Sequence, residues 1–219
     1  MDADRAEPLV VTAWLRELSR RLFEEKVGEA IFVRLWDQRN VQQPMLNILR
    51  DPGKLGAFWC DRPHTSPAES CNDAIADAWT QAMADLSRRY GDDPKHWRWG
   101  EAHTARSEHK PFGKVAYLSP LFNLRVPTGG DTYTVNVGRH NLRDEKAPFE
   151  NTHAASVRAL YDLADLPGSR FMDSTGQSGN ALLPRYRDWT GKWAAVEYVT
   201  MPLAPAQADA LTLVPAAAK

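Results

Sequence analysis

Helical periodicity carries this chain as far as Tyr90, then stops at Gly91-Asp92-Asp93-Pro94 and gives way to strand-like alternation. Before the stop, over residues 12–36, Trp14, Leu18 and Leu22 recur every fourth residue with Leu15 beside them. Arg16, Glu17, Arg20, Arg21, Glu24 and Glu25 form the opposite, polar side. Gly28 interrupts this helix, and a second is expected to run to about Arg39. Residues 51–70, with Pro52, Gly53, Pro63 and Pro67, read as loop. Ser70 then has the chemistry of an N-cap, with Asp73 three residues on, and the helix it opens carries Ile75, Trp79, Met83, Leu86 and Tyr90 along one side.

After the stop, Tyr133, Val135 and Val137 alternate with Thr132, Thr134 and Asn136, which predicts a half-buried strand. Residues 156–164 are apolar on both faces, as an inner strand covered on both sides requires. Leu166-Pro167-Gly168 makes a turn, after which residues 170–174 pair back. Residues 97–110 and 121–126 are further strand candidates. Pro184 opens a short helix bearing Tyr186, Trp189 and Trp193. The expected organisation is a single region over 1–219: helical in 1–95, mainly β in 96–180, and a C-terminal helix with a weakly specified Ala- and Pro-rich tail in 181–219. Helices first and strands afterwards give an α+β class rather than a doubly wound sheet.

The balance of 27 basic and 28 acidic residues, net charge −1, excludes a nucleic-acid binder that works through a basic surface. No apolar run approaches the roughly 18 residues that span a bilayer, and no basic-then-apolar leader pattern opens the chain. Cys60 and Cys71 stand at the two ends of a Pro-rich stretch without a four-ligand zinc pattern, so no metal is expected. They are either two unrelated thiols or a disulfide closing that loop, which requires an oxidising compartment.

Three features invite a chemical reading. Gly176-Gln177-Ser178-Gly179 places a serine between glycines, but its second glycine is one residue too close for the G-x-S-x-G elbow of hydrolases. A tight turn with positive φ at the glycines is the simpler account. His103 and His109, six residues apart on one strand, would stand roughly 20 Å from each other, too far to share a metal, and read as structural histidines. Asp162, a carboxylate in the middle of an apolar strand, must be paired, hydrogen-bonded or protonated; it is either a structural acid bonded to backbone or to Arg158, or one that orients a catalytic partner. Gly129-Gly130 precedes a strand rather than a helix, so no phosphate cradle is expected, and no cofactor is called for.

The blocks HWRWGEAHTARSEHKPFG (96–113), GDTYTVNVGRHN (130–141), PFENTHAASVRALYDLAD (148–165) and STGQSGNALLPRYRDW (174–189) resemble, in order and spacing, the C-terminal part of the large subunit of penicillin amidases. The resemblance implies an N-terminal-nucleophile hydrolase with stacked αββα layers. It also implies export to the periplasm or secretion, and a precursor that cuts itself so that a new N-terminal serine attacks an amide carbonyl with its own α-amine as base. Implied substrates are small-molecule amides, namely β-lactam side-chain amides and, in related members, acyl-homoserine lactones. On this reading the nucleophile and the oxyanion donors lie upstream of these residues, the partner is the upstream part of the same precursor, and Ser178 belongs to a structural turn. The family pattern S-P-H-Y reads Leu183-Pro184-Arg185-Tyr186 here. In relatives resembling cephalosporin acylases an acid at the position of Asp162 pairs with a histidine beside the serine, which makes Asp162 a candidate supporting acid. The alternative is a non-catalytic product of a truncated or split gene that pairs with a separate upstream chain.

Overall fold

The computed structural model describes residues 1–201; the expected tail from Pro202 lies outside them. The contacts divide the chain, read above as one region, into two compact units, Met1–Ala155 and Ser156–Lys219.

In the first unit, α1 (Glu7–Val27), α2 (Glu29–Leu35), α3 (Gln38–Arg50), α4 (Leu55–Trp59) and α5 (Cys71–Tyr90) precede α6 (Trp99–Ala102), β1 (Thr104–Ser107), α7 (Ser119–Phe122), β2 (Leu124–Pro127), β3 (Gly138–Arg139) and β4 (His153–Ala154). Helices come first and antiparallel strands follow: β1 pairs with β2 and β3 with β4. Gly28 and Gly91 end α1 and α5 at φ +81° and +87°, conformations that a side chain resists. Ser70 caps α5 as its sequence implies. Its Oγ accepts from the Asp73 amide at 3.3 Å, and the Asp73 carboxylate accepts from the Ser70 amide at 2.8 Å.

The buried stripe of α5 is Ala74, Ala78, Ala82 and Leu86, one residue away from the expected aromatic side, and Trp79 is 45% exposed. Alanines every fourth residue let α5 lie close along α1, which buries Leu9, Ala13, Leu18 and Leu22. Trp79 instead meets the edge of Trp14 at 6.1 Å. Arg16, assigned to the polar side by periodicity, is buried: its guanidinium lies 4.7 Å from the Trp36 ring and bonds the Leu142 carbonyl at 3.0 Å and the carboxylates of Glu17 and Glu145 at 2.6 and 2.9 Å. Two helices were not expected: α3, capped by Asp37, and α4, inside the Pro-rich stretch.

The strand expected over residues 132–137 is a turn. Thr134 Oγ1 accepts from the Asp131 amide at 2.7 Å and reaches the Asn136 carbonyl at 2.8 Å, so side-chain bonding displaces the ladder. Tyr133 and Val135 accordingly face solvent.

The second unit holds β5 (Val157–Leu160), β6 (Arg170–Asp173), α8 (Thr190–Ala194) and β7 (Val199–Thr200), with strand order β5-β6-β7, all antiparallel. The strand expected over 156–164 is thus shorter and lies at a sheet edge. Val157, Leu160, Tyr161 and Leu163 are 57%, 48%, 69% and 87% exposed, not covered on both sides. Pro184 opens a 3₁₀ turn through Tyr186, and Trp193 is buried in α8 while Trp189 meets Phe171 at 5.6 Å.

Cys60, at the end of α4, and Cys71, the first residue of α5, are joined by a disulfide. It closes an eleven-residue separation whose loop is also held by Arg21, bonded to the Cys60 carbonyl and to Glu69. Loop-closure entropy for a ring of this size contributes about 3 kcal/mol. Reduction and alkylation, or the Cys60→Ser/Cys71→Ser double variant, is expected to lower the unfolding free energy by about that amount, read as the urea midpoint; a midpoint that does not move would show the bond to be idle.

Candidate functional site

The most concentrated polar chemistry of the first unit is buried. His103, at the end of α6, and His140, just after β3, have ring centroids 6.0 Å apart, and both rings are buried. The indole of Trp99 stacks on His103 at 4.3 Å and donates to the Gly130 carbonyl at 2.9 Å. His103 Nδ1 donates to the Phe149 carbonyl at 2.7 Å, which sets its tautomer while the ring is neutral. Thr128 Oγ1 donates to the His103 carbonyl at 2.6 Å and accepts from Asn151 Nδ2 at 3.1 Å. The Asp131 carboxylate stands 3.5 Å from His140 Nδ1.

Burial dominates both imidazoles. It pushes His103 down to about 4 against the opposing bond to Phe149, and it pushes His140 down to about 4 against the weaker pull of Asp37. The neutral, enclosed His103 ring, bonded to the Phe149 carbonyl, ties the end of α6 to that segment, and neither buried ring is open to an external substrate. His109, on which the sequence put equal weight, packs on Phe112 and Phe122 at 5.6 and 4.9 Å, and β1 separates it from His103, so the two do not lie on one strand. Among the described residues, no group of three or more His, Cys, Asp or Glu side chains is arranged to hold a metal.

The serine between glycines, in the second unit, forms a docked loop. The Gly176 and Ser178 amides donate to the Tyr186 and Arg185 carbonyls, each at 3.0 Å. A Cβ on Gly176 would lie 1.8 Å from the Arg185 carbonyl oxygen, and on Gly179 it would meet nothing within 4 Å. Neither glycine has positive φ. The glycine requirement is therefore close approach at Gly176, not the left-handed backbone expected from sequence. Ser178 Oγ accepts from the Asn180 amide at 3.1 Å, and no histidine or carboxylate is bonded to it among the described residues.

Asp162 is neither buried nor within a strand. It follows β5, is exposed, and its Oδ1 accepts from the Ala164 and Asp165 amides at 3.0 and 3.2 Å, closing the turn before residues 166–168. A short-range turn bond took the place of the paired acid that a long apolar strand would have demanded. Arg158 is half-buried on β5 and does not pair with Asp162. Its guanidinium stacks 4.5 Å from the Trp193 ring and donates to the Trp193 carbonyl at 2.6 Å, and burial lowers its affinity for the proton.

The histidine pair gives the first unit a pH dependence with a definite sign. Above about 6.5 both rings are neutral, folded or unfolded. Between 6.5 and about 4 the unfolded chain takes up protons that the folded chain refuses, so stability falls as pH falls through that window. The urea midpoint is expected to drop between about pH 7.5 and about pH 5, and to drop less in His140→Gln. An equal drop in that variant would assign the effect to other groups.

The penicillin amidase family model matches residues 1–210. Acyl-homoserine lactone acylase QuiP of Pseudomonas aeruginosa is 25% identical over 240 residues, covering 99% of this chain and 28% of that protein. The penicillin acylase 2 proenzyme of a Pseudomonas species is 29% identical over 133 residues, covering 60% of this chain and 16% of that protein. Thermostable penicillin G acylase from Alcaligenes faecalis aligns with 97% of this chain and 39% of its own at a TM-score of 0.49 and 15% identity. The chain thus spans about 28% of the length of the first of these relatives. With the family model matched along nearly all of its residues, the chain belongs to the penicillin amidase family.

Proposed function

We propose that this chain is one part of a penicillin-amidase-like hydrolase. The whole enzyme cleaves a linear amide, of the β-lactam side-chain or acyl-homoserine lactone type, by acyl transfer to an N-terminal serine that lies outside this chain, within an αββα sandwich. The observation that carries the reading is β5: among the described residues it pairs with one strand, β6, and its Val157 and Leu160 side chains are open to water. Such an edge suits pairing with a further strand. The upstream part of the same precursor is the partner that family membership suggests.

The loop around Ser178 supports the same reading from the negative side. A serine nucleophile needs a base within hydrogen-bond reach and donors where the oxyanion forms. Ser178 Oγ has the Asn180 amide instead. Asp162, whose Oδ1 is held by its turn, is proposed to support the catalytic centre in the assembled enzyme. The disulfide suits an oxidising compartment, consistent with a periplasmic or secreted enzyme.

The test is an assay of residues 1–219 with a chromogenic phenylacetyl amide and with an acyl-homoserine lactone, alone and after assembly with the serine-bearing upstream region of a family precursor. No turnover is expected from the chain alone, and turnover is expected from the assembly. Ser178→Ala should leave the assembled activity intact, while Asp162→Asn should lower it by about tenfold or more without moving the unfolding midpoint. Activity of the chain alone that disappears in Ser178→Ala would overturn the account.

A further inference from the structure

In the first unit, α1, α2, α3 and α4 border a groove of about 620 Å³. That is within the roughly 300–1,000 Å³ of small-molecule sites, which are mostly apolar with a few placed polar groups. Phe32 and Val41 form buried parts of its wall, and Phe23 and Trp59 meet edge to face at 5.4 Å. Val27 and Leu35 extend the apolar lining, and Leu35 is 51% exposed.

One charged side chain lines the groove. Arg39 uses its backbone amide and its Nε on the Asp37 carboxylate, at 3.0 and 3.1 Å, and its two terminal guanidinium nitrogens have no partner among the described residues. The field of Arg143 also acts on Asp37. Arg39 is thus held to Asp37 through its Nε edge, and its terminal nitrogens remain to meet an anion. Guanidinium terminal nitrogens beside apolar and aromatic walls are complementary to an amphiphile with a single carboxylate head.

We propose that this groove binds a medium-chain fatty acid, its hydrocarbon chain against Phe23, Val27, Phe32 and Trp59 and its carboxylate on the terminal nitrogens of Arg39. The proposal goes beyond the hydrolase reading and does not rest on it, since the reading assigns no role to any of these residues.

The experiment is calorimetric titration of residues 1–219 with decanoate below its micellar concentration, with decanol as the uncharged comparison. Saturable one-to-one binding of decanoate is expected. Arg39→Gln should weaken decanoate about tenfold, the loss of one charge-assisted interaction, and leave decanol unchanged. Val27→Trp, which fills the wall, should abolish both. Because Val27→Trp alters a packed position, its unfolding midpoint is measured alongside; Arg39→Gln changes an exposed group and decides the matter if the first variant is destabilised. Absence of saturable binding, or decanoate affinity unchanged in Arg39→Gln, would overturn the proposal.

Discussion

A guanidinium buried in the middle of a helix organises the larger unit. Arg16 is 2% exposed, and a charge so enclosed must be met on all sides. It is met by the Leu142 carbonyl, by Glu17 on its own helix, by Glu145 and by the face of Trp36. Those four partners come from α1, the end of α2 and the segment after β3, so satisfying one charge brings three distant parts of the sequence to one place. Arg20 reinforces it, stacking 4.5 Å from the same indole and pairing with Glu145, and Trp36 donates to Ser19 at 2.9 Å. α1, fixed here, also takes the alanine stripe of α5 along its length, and the disulfide holds the start of α5 to α4.

The smaller unit is built around a different constraint, the close approach of two loops. Gly176 lies against the Arg185 carbonyl, and the amides of Gly176 and Ser178 bond to residues 185 and 186. This docks the glycine-serine segment on the turn that carries Tyr186 into the core. What the unit leaves uncovered is the apolar edge of β5. The proposed role as one component of a larger enzyme would account for that exposed apolar strand, and family membership supplies the chemical context of amide hydrolysis.

Short-range signals in the sequence were legible, and long-range ones were not. Ser70 and Asp73 announce a helix start because both capping bonds are made within four residues. Gly28 and Gly91 announce helix ends for the same reason. The burial of Arg16 was invisible because its partners at 142 and 145 are remote, and periodicity alone assigns a charge to the wet side. The strand over 132–137 failed because one hydroxyl, that of Thr134, competes with the ladder, and alternation carries no information about that. Asp162 failed in the same manner: the apolar run suggested a strand through it, whereas its carboxylate closes a turn. The spacing of the glycine-serine segment differs from that of a nucleophile elbow, and the reason for its glycine is contact rather than backbone handedness.

The proposal that the β5 edge gains a further strand in the assembled hydrolase can be measured directly. Amide hydrogen exchange across residues 157–160 is followed in the isolated chain and in the assembled hydrolase. Outward-facing amides of an edge strand exchange through small local openings, and pairing with another strand suppresses those openings. The account predicts that exchange over 157–160 slows by at least about tenfold on assembly, while exchange in α5 is unchanged. Equal exchange over 157–160 in the two states would contradict it.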